Sequence, residues 1–160
     1  MEQGYLLERD ALNGSQGRAF AVINGRNVEM FGLEKFHSDA DFQEEDFKVV
    51  GTRLVQKKTT GILLTGSMTI YYGTPEFIQL VQTYIKTGRV PYFTIQVTNS
   101  DPATTVGKQT VAFYNVKLQK IPLAILDADI SSLTLDVNFS FTSFEILQAF
   151  RRQPTQLGSN

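Results

Sequence analysis

Residues 59–97 read TTGILLTGSMTIYYGTPEFIQLVQTYIKTGRVPYFTIQV, and their order decides the fold class. A polar lead-in, Thr59-Thr60-Gly61, opens a strand that ends at Met68-Thr69-Ile70-Tyr71-Tyr72-Gly73; a capped helix follows, and a second strand opens at Val90-Pro91-Tyr92-Phe93. Thr74 stands at the N-cap, Pro75 sits where a missing N–H is harmless, and Glu76 in the first turn suits the helix dipole. Phe77, Leu80, Val81, Tyr84 and Ile85 recur at helical spacing as one apolar stripe, with Gln79, Gln82 and Lys86 outside it. Gly88 supplies a left-handed C-terminal cap. The helix is expected over about 74–87, and its stripe has only a sheet to cover.

Strand signals flank this stretch on both sides. Arg18 to Ile23 reads as a strand, and Asn24-Gly25 is a hairpin signal because both residues tolerate the positive φ of a type I′ turn. The return strand is expected from near Asn27 to about Phe36. Residues 37–60 then change character: Asp39, Asp41, Glu44, Glu45 and Asp46 precede Lys48, Arg53, Lys57 and Lys58, with Phe42, Phe47, Val49 and Val50 interspersed. A loop of this length is uncommon in a compact domain unless it binds something, with a solvated hairpin as the lesser alternative. Its acidic and basic halves could meet complementary surfaces on neighbouring copies, a salt-sensitive contact.

Beyond the helix, Phe93, Ile95 and Val97 alternate with Tyr92, Thr94, Gln96 and Thr98, a loop runs from Asn99 to about Lys108, and a strand from Thr110 to Leu118 follows. The longest alternation comes last. Leu133, Leu135, Val137, Phe139 and Phe141 interleave with Thr134, Asp136, Asn138, Ser140 and Thr142, which gives one dry and one wet face. In a ring of copies, that wet face is a candidate lining for a central hole.

The chain has 160 residues, 42% hydrophobic and 19% charged, enough for one domain with its own core. A net charge of -1 gives no global attraction to polyanions or anionic membranes. There is no Cys, so disulfides, thiolate nucleophiles and Cys-containing zinc sites are excluded. No apolar run of signal-peptide or transmembrane length is seen, and a soluble product made in the cytoplasm is expected.

Reactive constellations fail one after another. His37 is the only histidine and has no identifiable nucleophile partner. Asp39 and Asp41 begin like a calcium loop, but Glu44 stands where Gly is needed and Val50 where a bidentate Glu is needed. Gly61 and Gly66 have phosphate-loop spacing, yet Ser67 replaces the Lys and Met68 the Ser or Thr. Paired carboxylates occur only in the acidic segment, without apolar neighbours to raise a pKa. No catalytic residue, metal or cofactor is expected.

The order of these elements resembles the core tail tube proteins of contractile phage tails, in particular those of PBSX-like prophages and related myophages of Gram-positive hosts. The words that carry the resemblance are Lys57-Lys58-Thr59-Thr60-Gly61, Gly66-Ser67-Met68-Thr69-Ile70-Tyr71-Tyr72, Lys86-Thr87-Gly88, Pro91-Tyr92-Phe93-Thr94, Val111-Ala112-Phe113-Tyr114-Asn115-Val116 and Val137-Asn138-Phe139-Ser140-Phe141-Thr142-Ser143-Phe144. Together they span roughly residues 18–147, and their order rather than any one of them is specific. Residues 1–16 are read as an N-terminal arm, 17–150 as the tube domain with a long loop at 37–60, and 151–160 as a C-terminal tail.

The resemblance implies a mainly β fold, a small barrel or sandwich with one flanking helix. It implies hexameric rings joined strand to strand and stacked into a hollow tube, inside a contractile sheath, that passes DNA as non-specific cargo or punctures a membrane. Sheath, tape-measure and baseplate proteins are the implied partners, and the virion tail or a phage-like particle the implied location. The inter-ring stacking residues would be Asp39, Asp41, Phe42, Glu44, Glu45, Asp46, Phe47, Lys48, Arg53, Lys57 and Lys58, and the lumen candidates Thr134, Asp136, Asn138, Ser140 and Thr142. Two other readings compete: a type VI-like secretion tube, which shares the fold, and a small-molecule or carbohydrate-binding barrel using Tyr71, Tyr92 and Tyr114. A hydrolase built on His37 ranks last.

Overall fold

The computed structural model describes residues 14, 17–29, 33–71, 75–102, 104, 106–129 and 133–151. The fold is mainly β and antiparallel, with one helix among the described residues. In chain order the elements are β1 (Gly17–Ile23), β2 (Arg26–Glu29), β3 (Leu33–Phe47), β4 (Gln56–Tyr71), α1 (Glu76–Thr87), β5 (Phe93–Ser100), β6 (Lys108–Lys120), β7 (Thr134–Ser140) and β8 (Ser143–Gln148). Contacts group them into two compact units, each assembled from separated stretches of chain.

The first unit orders its strands β2-β1-β5-β6-β8. Asn24 and Gly25 both have positive φ, 51° and 76°, so the β1–β2 turn takes the conformation that the Asn-Gly pair predicts. Ala19, Ala21, Ile23, Ile95, Phe113 and Val116 are buried in it, and Ala112 is buried on the opposite face from Phe113. The β5–β6 register shifts between Phe93↔Val116 and Ile95↔Phe113, and the extra residue pair includes Asn115 at φ 55°. This is a bulge at which Asn is one of the few side chains that tolerates a left-handed backbone.

In the second unit the last residues of β6 pair with β7, β7 with β4, and β4 with β3. Met68, Ile70, Leu135, Val137 and Phe139 are buried here. Phe139 stacks on Phe36 with ring centroids 5.7 Å apart, and Gly66 leaves the space the Phe139 ring fills: a Cβ there would lie 2.4 Å from Cζ. The alternation read over 133–142 holds for β7, where Leu135, Val137 and Phe139 are buried and Asp136 and Asn138 exposed.

The helix starts at Glu76, with Pro75 rather than Thr74 at the N-cap and no side-chain cap bond; Pro75 has φ and ψ of −81° and −10°, and its carbonyl accepts from Gln79 N–H at 3.0 Å. Thr74 lies outside the described residues. Gly88, at φ 69°, donates its N–H to the Tyr84 carbonyl and closes the helix as a left-handed cap.

Four expectations change. The return strand from Asn27 to Phe36 is described as two, β2 pairing in the first unit and β3 in the second, with 30–32 outside the described residues. Residues 37–60 are no loop: β3 continues to Phe47 and β4 starts at Gln56, because cross-strand pairing offsets the poor strand propensity of so many carboxylates. The apolar stripe of α1 is buried only in its first half, at Phe77 and Leu80, whereas Tyr84 and Ile85 are 49% and 75% exposed. A further strand, β8, follows β7 where none was expected, because all six of its residues are exposed and leave no burial pattern to read.

Candidate assembly surfaces

The distal halves of β3 and β4 form an arm. β7 pairs with β4 over Thr65 to Tyr71, and Phe141 N–H donates to the Leu64 carbonyl at 3.2 Å, so beyond that point Asp41–Phe47 and Gln56–Leu63 pair with each other and, among the described residues, with no third strand. A two-stranded ribbon alone is marginal in water. This one is held by local pairing: Lys57 Nζ donates to Asp46, Glu45 stands opposite Lys58, and Thr60 Oγ1 donates to the Gln43 carbonyl at 3.2 Å. Thr60 has no partner in the register, since Gln43 faces Gly61 and Glu44 faces Thr59. Phe42 and Phe47 are five residues apart on β3, which places apolar residues on both sides of the ribbon. Phe42 and Ile62 face each other across the strands and are more than half exposed, and Phe47, Val49, Val50, Leu54 and Val55 are exposed around the tip.

All of the stacking candidates are exposed: Asp39, Asp41, Phe42, Glu44, Glu45, Asp46 and Phe47 on β3, Lys57 and Lys58 on β4, and Lys48 and Arg53 in the turn between them. The acidic and basic halves were expected to be free for neighbours, but they meet first across the hairpin. Exposed ion pairs of this kind contribute about 0–1 kcal/mol. Apolar area on the arm therefore outweighs charge as its adhesive.

The second surface is the wet side of the β3-β4-β7 sheet. Cross-strand rows set Lys35, Thr69 and Asp136 side by side, then His37, Ser67 and Asn138, then Asp39, Thr65 and Ser140. Lys120 extends the middle row and Lys117 the last. Thr69 Oγ1 donates to Asp136 Oδ1 at 2.7 Å, and His37 Nε2 lies 2.7 Å from Asp39 Oδ1. The three rows contain no apolar side chain. Thr134, Asp136 and Asn138 lie on this side as expected, but the Ser140 hydroxyl is enclosed without a hydrogen-bond partner, and Thr142 lies past the end of β7.

His37 and Asp39 are both well exposed, and Ser67 stands across the strand from His37. Among the described residues there is no group of His, Cys, Asp or Glu able to hold a metal, and no helix is long and apolar enough to cross a membrane. Tyr114 donates its hydroxyl proton to Glu145, 3.1 Å away, and this bond to a carboxylate raises its pKa above the usual tyrosine value. Tyr71 and Tyr92 are exposed, and none of Tyr71, Tyr92 and Tyr114 lines the groove beside α1 or the one around Asp101. Those grooves, and the open edge of β8, were not legible in the sequence; each is built from residues distant in the chain.

Residues 4–148 match the family described as phage tail tube protein. The phage-like element PBSX protein XkdM of Bacillus subtilis (strain 168) is 31% identical over 141 residues, 88% of this chain and 93% of XkdM. Among solved structures, a chain in the extended sheath–tube complex of the extracellular contractile injection system PVC superposes with TM-score 0.64 at 12% identity, covering 87% of this chain and 92% of that one. A chain of the anti-feeding prophage baseplate gives TM-score 0.64 at 7% identity, with 86% and 95% covered. The family match includes much of the N-terminal segment that the sequence resemblance left out. The fold of the two structures, the identity with XkdM and the match across most of the chain agree: this protein belongs to the phage tail tube protein family.

Proposed function

We propose that the chain is the wall subunit of the tube in a contractile tail or phage-like particle, six copies closing a ring through open strand edges and rings stacking through the β3–β4 arm. The observation that carries this reading is the arm itself. A paired ribbon with Phe42 opposite Ile62 and an apolar tip, exposed on both faces, is a surface awaiting a partner. Strand edges left open by β2, β3 and β8 are a liability in a solitary chain and a joining surface in a closed ring. The uncharged-to-mixed polar rows around Ser67 and Asn138 suit a lumen, since they offer passing cargo neither apolar grip nor a single-sign field. Sheath and baseplate proteins are the partners of such a tube, a tape-measure protein and DNA its contents, and the virion tail or an equivalent particle its location.

Electron microscopy of the purified chain tests the reading, with a variant in which Glu44–Thr59 is replaced by a short Asn-Gly turn. The parent forms stacked rings, and the variant keeps its far-ultraviolet dichroism but forms no tubes. Long tubes from the shortened variant would show that the arm does not stack the rings.

A further inference from the structure

The sheet of the first unit ends at β8 with its apolar side uncovered. Its register sets Val28, Ala21, Ile95, Phe113 and Phe144 in one row across β2-β1-β5-β6-β8. Ala21 and Ile95 in the middle of the row are fully buried, yet Phe144 at its end is 51% exposed. Ile146, opposite Val111, repeats the pattern at 53%. β8 pairs with β6 and, among the described residues, with no second strand. Its sequence, Ser143-Phe144-Glu145-Ile146-Leu147-Gln148, contains no Lys or Pro, the residues that commonly keep an edge from adding a strand. An unguarded backbone edge beside exposed apolar side chains fits one kind of partner, an extended strand with an open edge of its own.

The far end of the same sheet supplies that edge. β2 pairs with β1 alone among the described residues, and Val28 closes the row that Phe144 opens. Every pairing between β2 and β8 is antiparallel, so in this run of five strands the two outermost point the same way. Copies related by rotation about a common axis keep that direction, which makes a junction of β8 with the next copy's β2 parallel. A two-fold axis would instead set β8 against β8, antiparallel, and stop at a dimer. We propose that β8 of one copy pairs in parallel with β2 of a second copy, Val28 beside Ile146 and Asn27 beside Glu145, so that the apolar side of one sheet runs on into the next. This register sets no like charges opposite each other, whereas β3, the remaining open edge, carries six carboxylates to one Lys and would repel Glu145. The contact stands on the two edges themselves; only its closure into a ring rests on the tube reading.

The absence of native Cys makes the test direct. A full-length Asn27→Cys, Glu145→Cys double variant is oxidised mildly and followed by non-reducing electrophoresis. Four interstrand steps, about 19 Å along the sheet, separate the two positions within one chain, beyond the roughly 7 Å that a disulfide spans, so the bond is expected between chains. As a collision control, Asn27→Cys is mixed with Val50→Cys, whose site on the arm tip is fully exposed. A ladder of covalent multimers ending at six is expected, formed several-fold faster than the control dimer. Ile146→Lys, which guards the edge at an exposed position, brings the ladder down to the control rate and leaves the far-ultraviolet dichroism unchanged. A ladder no faster than the control, or one that Ile146→Lys leaves undiminished, overturns the proposal. So does oxidation only within single chains, or a Glu145→Cys single variant that dimerises as fast as the double variant, since β8 would then meet β8. Rings seen by microscopy without the ladder sink this junction alone, whereas a ladder that runs past six without rings sinks the tube reading alone.

Discussion

Gly66→Ala is the most direct probe of how this fold is packed. An added Cβ would sit 2.4 and 2.6 Å from the Phe139 ring and 2.8 Å from the His37 carbonyl oxygen, all inside the 3.0 Å below which something must shift. The ring has little freedom to retreat, because Phe139 is fully buried and flanked by Phe36 at 5.7 Å and Phe141 at 6.2 Å. Overpacking of this kind costs about 1–3 kcal/mol, and contact with backbone as well as ring places it at the upper end. Ala recovers about 0.5–1 kcal/mol because Gly is the poorer strand residue. The net loss is then roughly 2 kcal/mol, or about 4–8 °C in Tm for a chain of this size.

Urea unfolding of the parent, Gly66→Ala, Phe139→Leu and the double variant measures the effect and its origin. Phe139→Leu frees space at the ring but not at the His37 carbonyl, so the double variant should be more stable than the sum of the two losses by about 1 kcal/mol. A Gly66→Ala protein within about 0.5 kcal/mol of the parent, or strictly additive losses, would refute the close approach of Gly66 and Phe139.

Two further outcomes follow from the surfaces. Asp136→Asn keeps an acceptor for the exposed Thr69 hydroxyl, so stability should change by less than about 1 kcal/mol; a loss well above that in denaturant unfolding would mean that the wet face is buried in the free chain. Tyr114 has its folded-state pKa raised, so the stability linked to its proton is fully present below the unfolded value of about 10 and is lost as pH rises through the folded value. In a phenolate absorbance titration Tyr114→Phe should remove a tyrosine from the high-pH end; removal of one from the low end would show that the Glu145 hydrogen bond is not made.

Local chemistry was readable wherever a single segment determined its own conformation. The Asn24-Gly25 turn, the Gly88 end of α1, and the dry and wet faces of β7 are each set by φ preferences or a period of two, and each appears in the structure as expected. The lumen candidates were read from that same period, which is why Asp136 and Asn138 fall on the wet side. Ser140 departs because its burial depends on neighbours that periodicity does not describe.

The arm was harder to read. Five carboxylates between Asp39 and Asp46 argue against a strand by propensity, and only the register, with Asp46 at Lys57 and Glu45 opposite Lys58, shows what stabilises it. The half-exposed stripe of α1 and the bare strand β8 were missed for the converse reason: apolar spacing says that a residue can be buried, not that anything in the same chain arrives to bury it.

The amino-acid sequence by itself determined the class of the protein: one helix among many strands, no reactive group, and the ordered words of a tail tube subunit. Tertiary structure alone decided which strands pair, that the charged excursion is a ribbon rather than a loop, and where apolar surface is left uncovered. The division has a physical cause. Turns, caps and periodicity depend on neighbours along the chain, whereas pairing partners and unfilled surface depend on residues brought together from far apart.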